Sequence, residues 1–101
     1  MILDEIQTGL GRTGEFMAYN HQNIKPDIVA VGKSLSGGFM PASAVLANDD
    51  IMMQIWPGEH GSTFGGNPLA CAIVPTALKI LFEEGLIQNA KEMGNYLLET
   101  L

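Results

Sequence analysis

An α/β chain is what the 101-residue sequence predicts: three short strands joined by long loops over residues 1–67, then helices over residues 68–101. Three observations carry this. Ile28-Val29-Ala30-Val31 is an uninterrupted, largely β-branched run of the kind found in strands buried on both faces. Glycine-rich stretches separate the apolar segments of the first two thirds. Beyond Asn67-Pro68, apolar residues recur at helical rather than alternating spacing.

Met1 to Leu3 is apolar and turns polar at Asp4, Glu5 and Gln7, so residues 1–6 read as a strand and its exit from a sheet. Gly9, Gly11 and Gly14 alternate with Thr8, Arg12 and Thr13, which is loop chemistry. The weakly periodic segment continues to Lys25, a length that in a compact domain marks a functional or covering loop. Pro26-Asp27 punctuates the approach to the second strand, which ends at Gly32-Lys33. Ser36, Gly37, Gly38 and Pro41 make a further turn, and Ala42 to Ala47 is the third strand. Asn48 or Asp49 caps a short helix over Asp50 to Ile55.

A second glycine-rich loop, Pro57 to Asn67, precedes a helix whose N-cap is Asn67 and whose first residue is Pro68. Leu69, Ile73, Ala77, Ile80 and Leu81 form its apolar face, Pro75 predicts a kink near Val74, and Gly85 ends it. Ile87, Ala90, Met93, Leu97 and Leu101 then mark a second amphipathic helix. A strand at residue 1 and a final helix without a stop signal are expected of a segment of something larger.

Composition narrows the function. With 47% hydrophobic and 16% charged residues the chain is globular rather than disordered. No apolar run approaches the ~18–20 residues of a membrane-spanning helix. Five Lys+Arg against eleven Asp+Glu give a net charge of −6, which repels phosphate backbones and anionic membranes, so neither nucleic acid nor membrane is an expected partner. A single cysteine, Cys71, has no internal disulfide partner, and no secretory leader opens the chain; an intracellular setting, cytoplasm or mitochondrial matrix, is expected. Cys71 itself reads as a packed small side chain.

The position with the sharpest chemistry is Lys33. Most lysines are solvated, but one that closes an apolar strand is partly desolvated, which favours the neutral amine as a nucleophile toward carbonyls. A P-loop reading of Gly32-Lys33-Ser34 fails because Asp27 stands where that motif needs its first glycine. Asp4 is either a turn-initiating carboxylate or an acceptor aimed into a cleft at the carboxyl ends of strands; if its strand neighbours that of Lys33, the two groups share one crevice. Ser62 and Thr63 lie among glycines whose amides suit an anion, or else in a plain surface loop. His60 and His21 have no spaced partners for a metal set.

Taken together, Asp4-Glu5-Ile6-Gln7-Thr8-Gly9-Leu10-Gly11-Arg12-Thr13-Gly14, then Pro26-Asp27-Ile28 leading into Gly32-Lys33-Ser34-Leu35-Ser36-Gly37-Gly38, then Gly61-Ser62-Thr63-Phe64-Gly65-Gly66-Asn67-Pro68, resemble the class III pyridoxal-phosphate aminotransferases. Within the family, Ser43 to Leu46 and Pro57 to Thr63 are most similar to the branch acting on ornithine, with the acetylornithine and 4-aminobutyrate branches close and a truncated, non-catalytic fragment the alternative to an enzyme. The resemblance implies part of the large cofactor-binding domain of a fold-type I enzyme over residues 1–67, and a helical segment leading toward a small C-terminal domain over residues 68–101. It implies pyridoxal 5′-phosphate as cofactor, carried by Lys33, which also shuttles the proton. Asp4 would pair with the ring nitrogen, Gln7 with the phenolic oxygen, and Ser62 and Thr63 with the phosphate. Thr63 would serve the neighbouring site of a homodimer, the substrates would be amino and 2-oxo acids, and Arg12 would structure its loop. It further implies a phosphate-cradling helix start, a stacking aromatic and a substrate-carboxylate arginine outside these residues.

Overall fold

The computed structural model describes all 101 residues. Its sheet has three strands, β1 (Ile2–Asp4), β2 (Ile28–Val31) and β3 (Ala44–Ala47), in the order β1-β2-β3. β1 and β2 run parallel with Asp4 opposite Ala30, and β3 returns antiparallel with Ala44 opposite Val31. Three helices complete the chain: α1 (Asp49–Met52), α2 (Pro68–Glu83) and α3 (Leu86–Thr100). Three strands and loops followed by helices is the order the sequence predicts, and the crossover from β1 to a parallel β2 puts the ends of both strands on one edge.

β2 corrects one expectation. Val29 and Val31 are buried while Ile28 and Ala30 are only half-buried, so the strand alternates rather than being buried on both faces. Leu10, Met17 and Leu35 join the two valines in the core, and Val74, Leu78 and Leu81 of α2 pack against it, all on one side of the sheet. Phe16 of the long loop meets Phe82 with ring centroids 5.1 Å apart, tying that loop to the end of α2.

α2 begins as the sequence predicts: the Asn67 side chain accepts a 2.9 Å hydrogen bond from the Ala70 N–H, and Pro68 occupies the first turn. Of the expected face, Ile73, Ala77 and Leu81 are half-buried, joined by Val74 and Leu78, while Leu69 and Ile80 are exposed. The seat of the helix explains the shift. It lies on the turn after β2, so close that a Cβ on Gly37 would touch the Ala77 methyl at 3.4 Å, and Val74, Leu78 and Leu81 pack on the core from there. Pro75 leaves the helix continuous from Pro68 to Glu83; the missing donor falls on its exposed side. Cys71 is exposed rather than packed. α1 is shorter than expected and is capped by Asn48 without a side-chain bond. Gly85, at φ 64°, breaks α2 from α3.

In α3 only Ile87 and Ala90 of the predicted face are half-buried, and Met93, Leu97 and Leu101 are exposed. The first turns of α3 sit against the glycine loop, and Lys91 pairs with Glu15 at 3.2 Å. That approach requires Gly14, whose φ is +83° and whose Cβ would lie 2.8 Å from Lys91 Cβ and 2.9 Å from its Cα. Gly14→Ala is therefore expected to destabilise the complete protein by about 2–4 kcal/mol, the left-handed strain plus the clash. Gly58 has φ +92° and nothing within 4 Å, so Gly58→Ala should cost about 1 kcal/mol. Equal urea midpoints for the two variants would show that the helix does not depend on the close approach.

Candidate active site

The ladder between β1 and β2 sets the site. Asp4 is the last residue of β1, and Lys33 follows β2 two residues after its end, so both stand at the carboxyl edge of the parallel pair, where ligands bind in open α/β sheets. The turn that carries Lys33 is fixed from both sides. Leu35 enters the core, the Leu35 N–H donates to the Gly32 carbonyl at 3.0 Å, and the Gly37 N–H donates to the Ser34 carbonyl at 2.9 Å. Ser36 is buried, its hydroxyl donates to the Met40 carbonyl, and its oxygen accepts from the Met40 N–H at 3.4 Å.

Lys33 itself has φ 44°, a left-handed conformation that a side chain rarely adopts. Such strain persists only where the surroundings over-determine it, and it gathers at functional positions. The Lys33 ammonium donates a 2.7 Å hydrogen bond to Gln7 Oε1. That bond occupies the carbonyl end of the amide, so Gln7 keeps both N–H donors of its Nε2 for another group. The expectation that Lys33 is desolvated is not met: its side chain is exposed. The run before it is partly buried, but Lys33 stands in the turn beyond the strand's end.

Asp4 is exposed, and its Oδ1 accepts from the Ile6 N–H at 3.0 Å. That is the turn-initiating arrangement, and it leaves Oδ2 unpaired at the same edge as Lys33. The structure thus brings Asp4, Gln7 and Lys33 to one edge, with Gln7 and Lys33 in direct contact.

Ser62 lies across a cavity of about 760 Å³ that Lys33, Ser43 and Asn67 also line. Its Oγ accepts from the Gly65 N–H at 2.9 Å, which shapes the loop. Thr63 is exposed, does not line that cavity and makes no side-chain hydrogen bond. A second cavity, of about 970 Å³, opens on the other side of Lys33 between Arg12, Phe39 and the apolar flank of α2. Arg12 corrects its expected role: its guanidinium is exposed and bonds to nothing in the loop.

The residue that orders the loop is Glu5, which the sequence reading passed over. Its carboxylate accepts from Thr8 Oγ1 at 2.5 Å and from the Ala18 and Tyr19 N–H groups at 3.2 and 2.9 Å. The available signal was a second carboxylate directly after a strand with a threonine three residues on, a local acceptor–donor pair.

The family model described as Aminotransferase class-III matches residues 1–101. The ornithine aminotransferase of Bordetella pertussis (strain Tohama I) is 57% identical over 101 residues, 100% of this chain and 25% of that protein. The mitochondrial ornithine aminotransferase of Rattus norvegicus is 60% identical over 100 residues, 99% of this chain and 23% of that protein. Among solved structures, an ornithine aminotransferase from Toxoplasma gondii, described as showing partial occupancy of PLP at its active site, superposes with TM-score 0.97 at 51% identity, over 99% of this chain and 24% of that one. Acetylornithine aminotransferase from Elizabethkingia anophelis superposes with TM-score 0.91 at 55% identity, over 94% of this chain and 24% of that one. The chain spans about a quarter of the length of the relatives it matches.

Proposed function

The chain belongs to the class-III aminotransferases, and on that premise we propose that it is the lysine-bearing part of an enzyme moving the side-chain amino group of ornithine to 2-oxoglutarate, giving glutamate 5-semialdehyde and glutamate. The observation that carries this reading is Lys33, a primary amine in a strained turn, bonded to Gln7 at the edge where Asp4 ends its strand. The names of the relatives supply the amine donor.

The donor set fits pyridoxal 5′-phosphate. An amine for a carbonyl, an unpaired carboxylate oxygen for a protonated ring nitrogen, and amide donors for a phenolic oxygen meet at one edge. Ser62 and Thr63 offer hydroxyls to the phosphate. When bound, the cofactor supplies an electron sink for the carbon that bears the amine. The chain supplies the rest. Lys33 Nζ would hold the cofactor's carbonyl carbon and would carry a proton to and from the substrate carbon. Asp4 would set a fixed negative charge beside the protonated ring nitrogen, and Gln7, which binds Lys33, would donate to the cofactor's phenolic oxygen. Thr63, outside this chain's own cavity, is assigned to the neighbouring site of a homodimer.

Residues 1–67 then belong to the large domain, and residues 68–101 lead toward the small C-terminal domain. No helix is long and apolar enough to cross a membrane, and an intracellular setting, cytoplasm or mitochondrial matrix, is part of the proposal.

The test is a donor panel on the complete protein with 2-oxoglutarate as acceptor. Ornithine is expected to give a kcat/KM at least tenfold above acetylornithine and 4-aminobutyrate, a difference of about 1.4 kcal/mol. The 55% identity to an acetylornithine enzyme makes that donor the second reading. A tenfold preference for acetylornithine would establish it instead.

A further inference from the structure

Glu5 is a buried carboxylate, only 3% exposed, and nothing in the site described above uses it. Three donors converge on it: the Thr8 hydroxyl at 2.5 Å and the Ala18 N–H at 3.2 Å on Oε2, and the Tyr19 N–H at 2.9 Å on Oε1. Each carboxylate oxygen thus receives a backbone N–H, a group that can only donate, which is the partner set of a carboxylate and not of a carboxamide. Its backbone is equally engaged. The Glu5 N–H extends the ladder to the Ala30 carbonyl at 2.9 Å, and the Glu5 carbonyl accepts from the Gly9 N–H at 2.9 Å. Gly9 comes so close that a Cβ there would stand 2.8 Å from that carbonyl.

Residue 5 is therefore pinned through backbone and side chain alike, between two exposed neighbours that carry chemistry. Asp4 precedes it and Gln7 follows two residues on, and the only hydrogen bond of the Gln7 side chain is the one to Lys33. Nothing else in the turn holds Gln7.

We propose that Glu5 is a positioning residue: its buried carboxylate clamps the turn leaving β1 onto the backbone amides of Ala18 and Tyr19, and so holds the Gln7 amide against Lys33 with its N–H donors facing the cleft. The proposal rests on the reading of Lys33 and Gln7 given above. It assigns the long glycine loop a task, since residues 8–19 are the anvil against which the turn is fixed. A carboxamide at position 5 keeps one acceptor and turns an N–H₂ toward a backbone donor, which loosens the clamp without changing the volume of the side chain.

The experiment uses the complete cofactor-loaded enzyme and follows the pH at which its visible absorption band changes. Glu5→Gln is expected to move that midpoint by about half a unit or more, the worth of a weakened hydrogen bond. In a Gln7→Ala background the same change is expected to add no further shift, because the effect travels through Gln7. A Glu5→Gln midpoint equal to that of the parent overturns the proposal. So does a shift of full size in the Gln7→Ala background, which would make Glu5 a general structural support. Where Glu5→Gln fails to fold, Thr8→Val removes one donor with little change in shape. It is expected to give a smaller shift in the same background-dependent pattern, and no shift again overturns the proposal. A band that survives Lys33→Ala refutes the reading of Lys33 instead, a failure separate from the others.

Discussion

Lys33→Ala in the complete protein is expected to remove the visible absorption of the bound cofactor and to lower kcat by at least about a thousandfold. The chain offers no substitute. Arg12 is the other cation lining a cavity beside Lys33, and a guanidinium is not a nucleophile for carbonyls. The strained backbone separates loss of chemistry from loss of fold. Alanine has the same Cβ as lysine, so at φ 44° it carries the same penalty, and the variant should unfold at nearly the parent's urea midpoint. Lys33→Gly relieves that penalty and should be about 1 kcal/mol more stable than the alanine variant while equally inactive. Retained absorbance and turnover in either variant would show that the reactive amine lies elsewhere.

The second large effect is expected from Asp4→Asn, which should lower kcat/KM by roughly 100- to 1,000-fold. The substitution discriminates between the two roles the carboxylate can play. Asn Oδ1 keeps the 3.0 Å bond from the Ile6 N–H, so the turn survives and only the charge is lost. A purely turn-forming Asp4 predicts turnover within threefold of the parent and an unchanged visible spectrum. Loss of rate with an intact urea midpoint is the outcome the active-site assignment requires.

These two residues were legible for the same reason: each punctuates an apolar run, and the end of a strand is where a sheet presents functional groups. The spacing of Asp4 and Lys33 allowed a crossover, and the parallel register of β1 and β2 put them on one edge. Asn67 and Pro68 were equally readable, since an N-cap bond spans three residues and needs nothing from the rest of the molecule. Glu5 was not. Its partners are one threonine nearby and two backbone amides 13 and 14 residues away, and no local pattern says that a loop will fold back over a carboxylate. The exposed Leu69 and Ile80 failed for a related reason: periodicity gives a helix an apolar stripe, while the surface it packs on decides which part of the stripe is covered.

By itself the sequence determined what short-range chemistry controls: strand runs, glycine turns and the cap of α2; it also singled out Lys33 as the candidate amine, with its candidate partners. The tertiary structure alone decided which side chains meet. It put Gln7 on Lys33, left Arg12 without a partner, exposed Cys71, and buried Glu5 under amides from a distant loop. The division has one physical cause. Propensities and caps act within a few residues along the chain, whereas burial and hydrogen-bond partnership depend on which surfaces close over one another, and that is fixed only when the chain has folded back on itself.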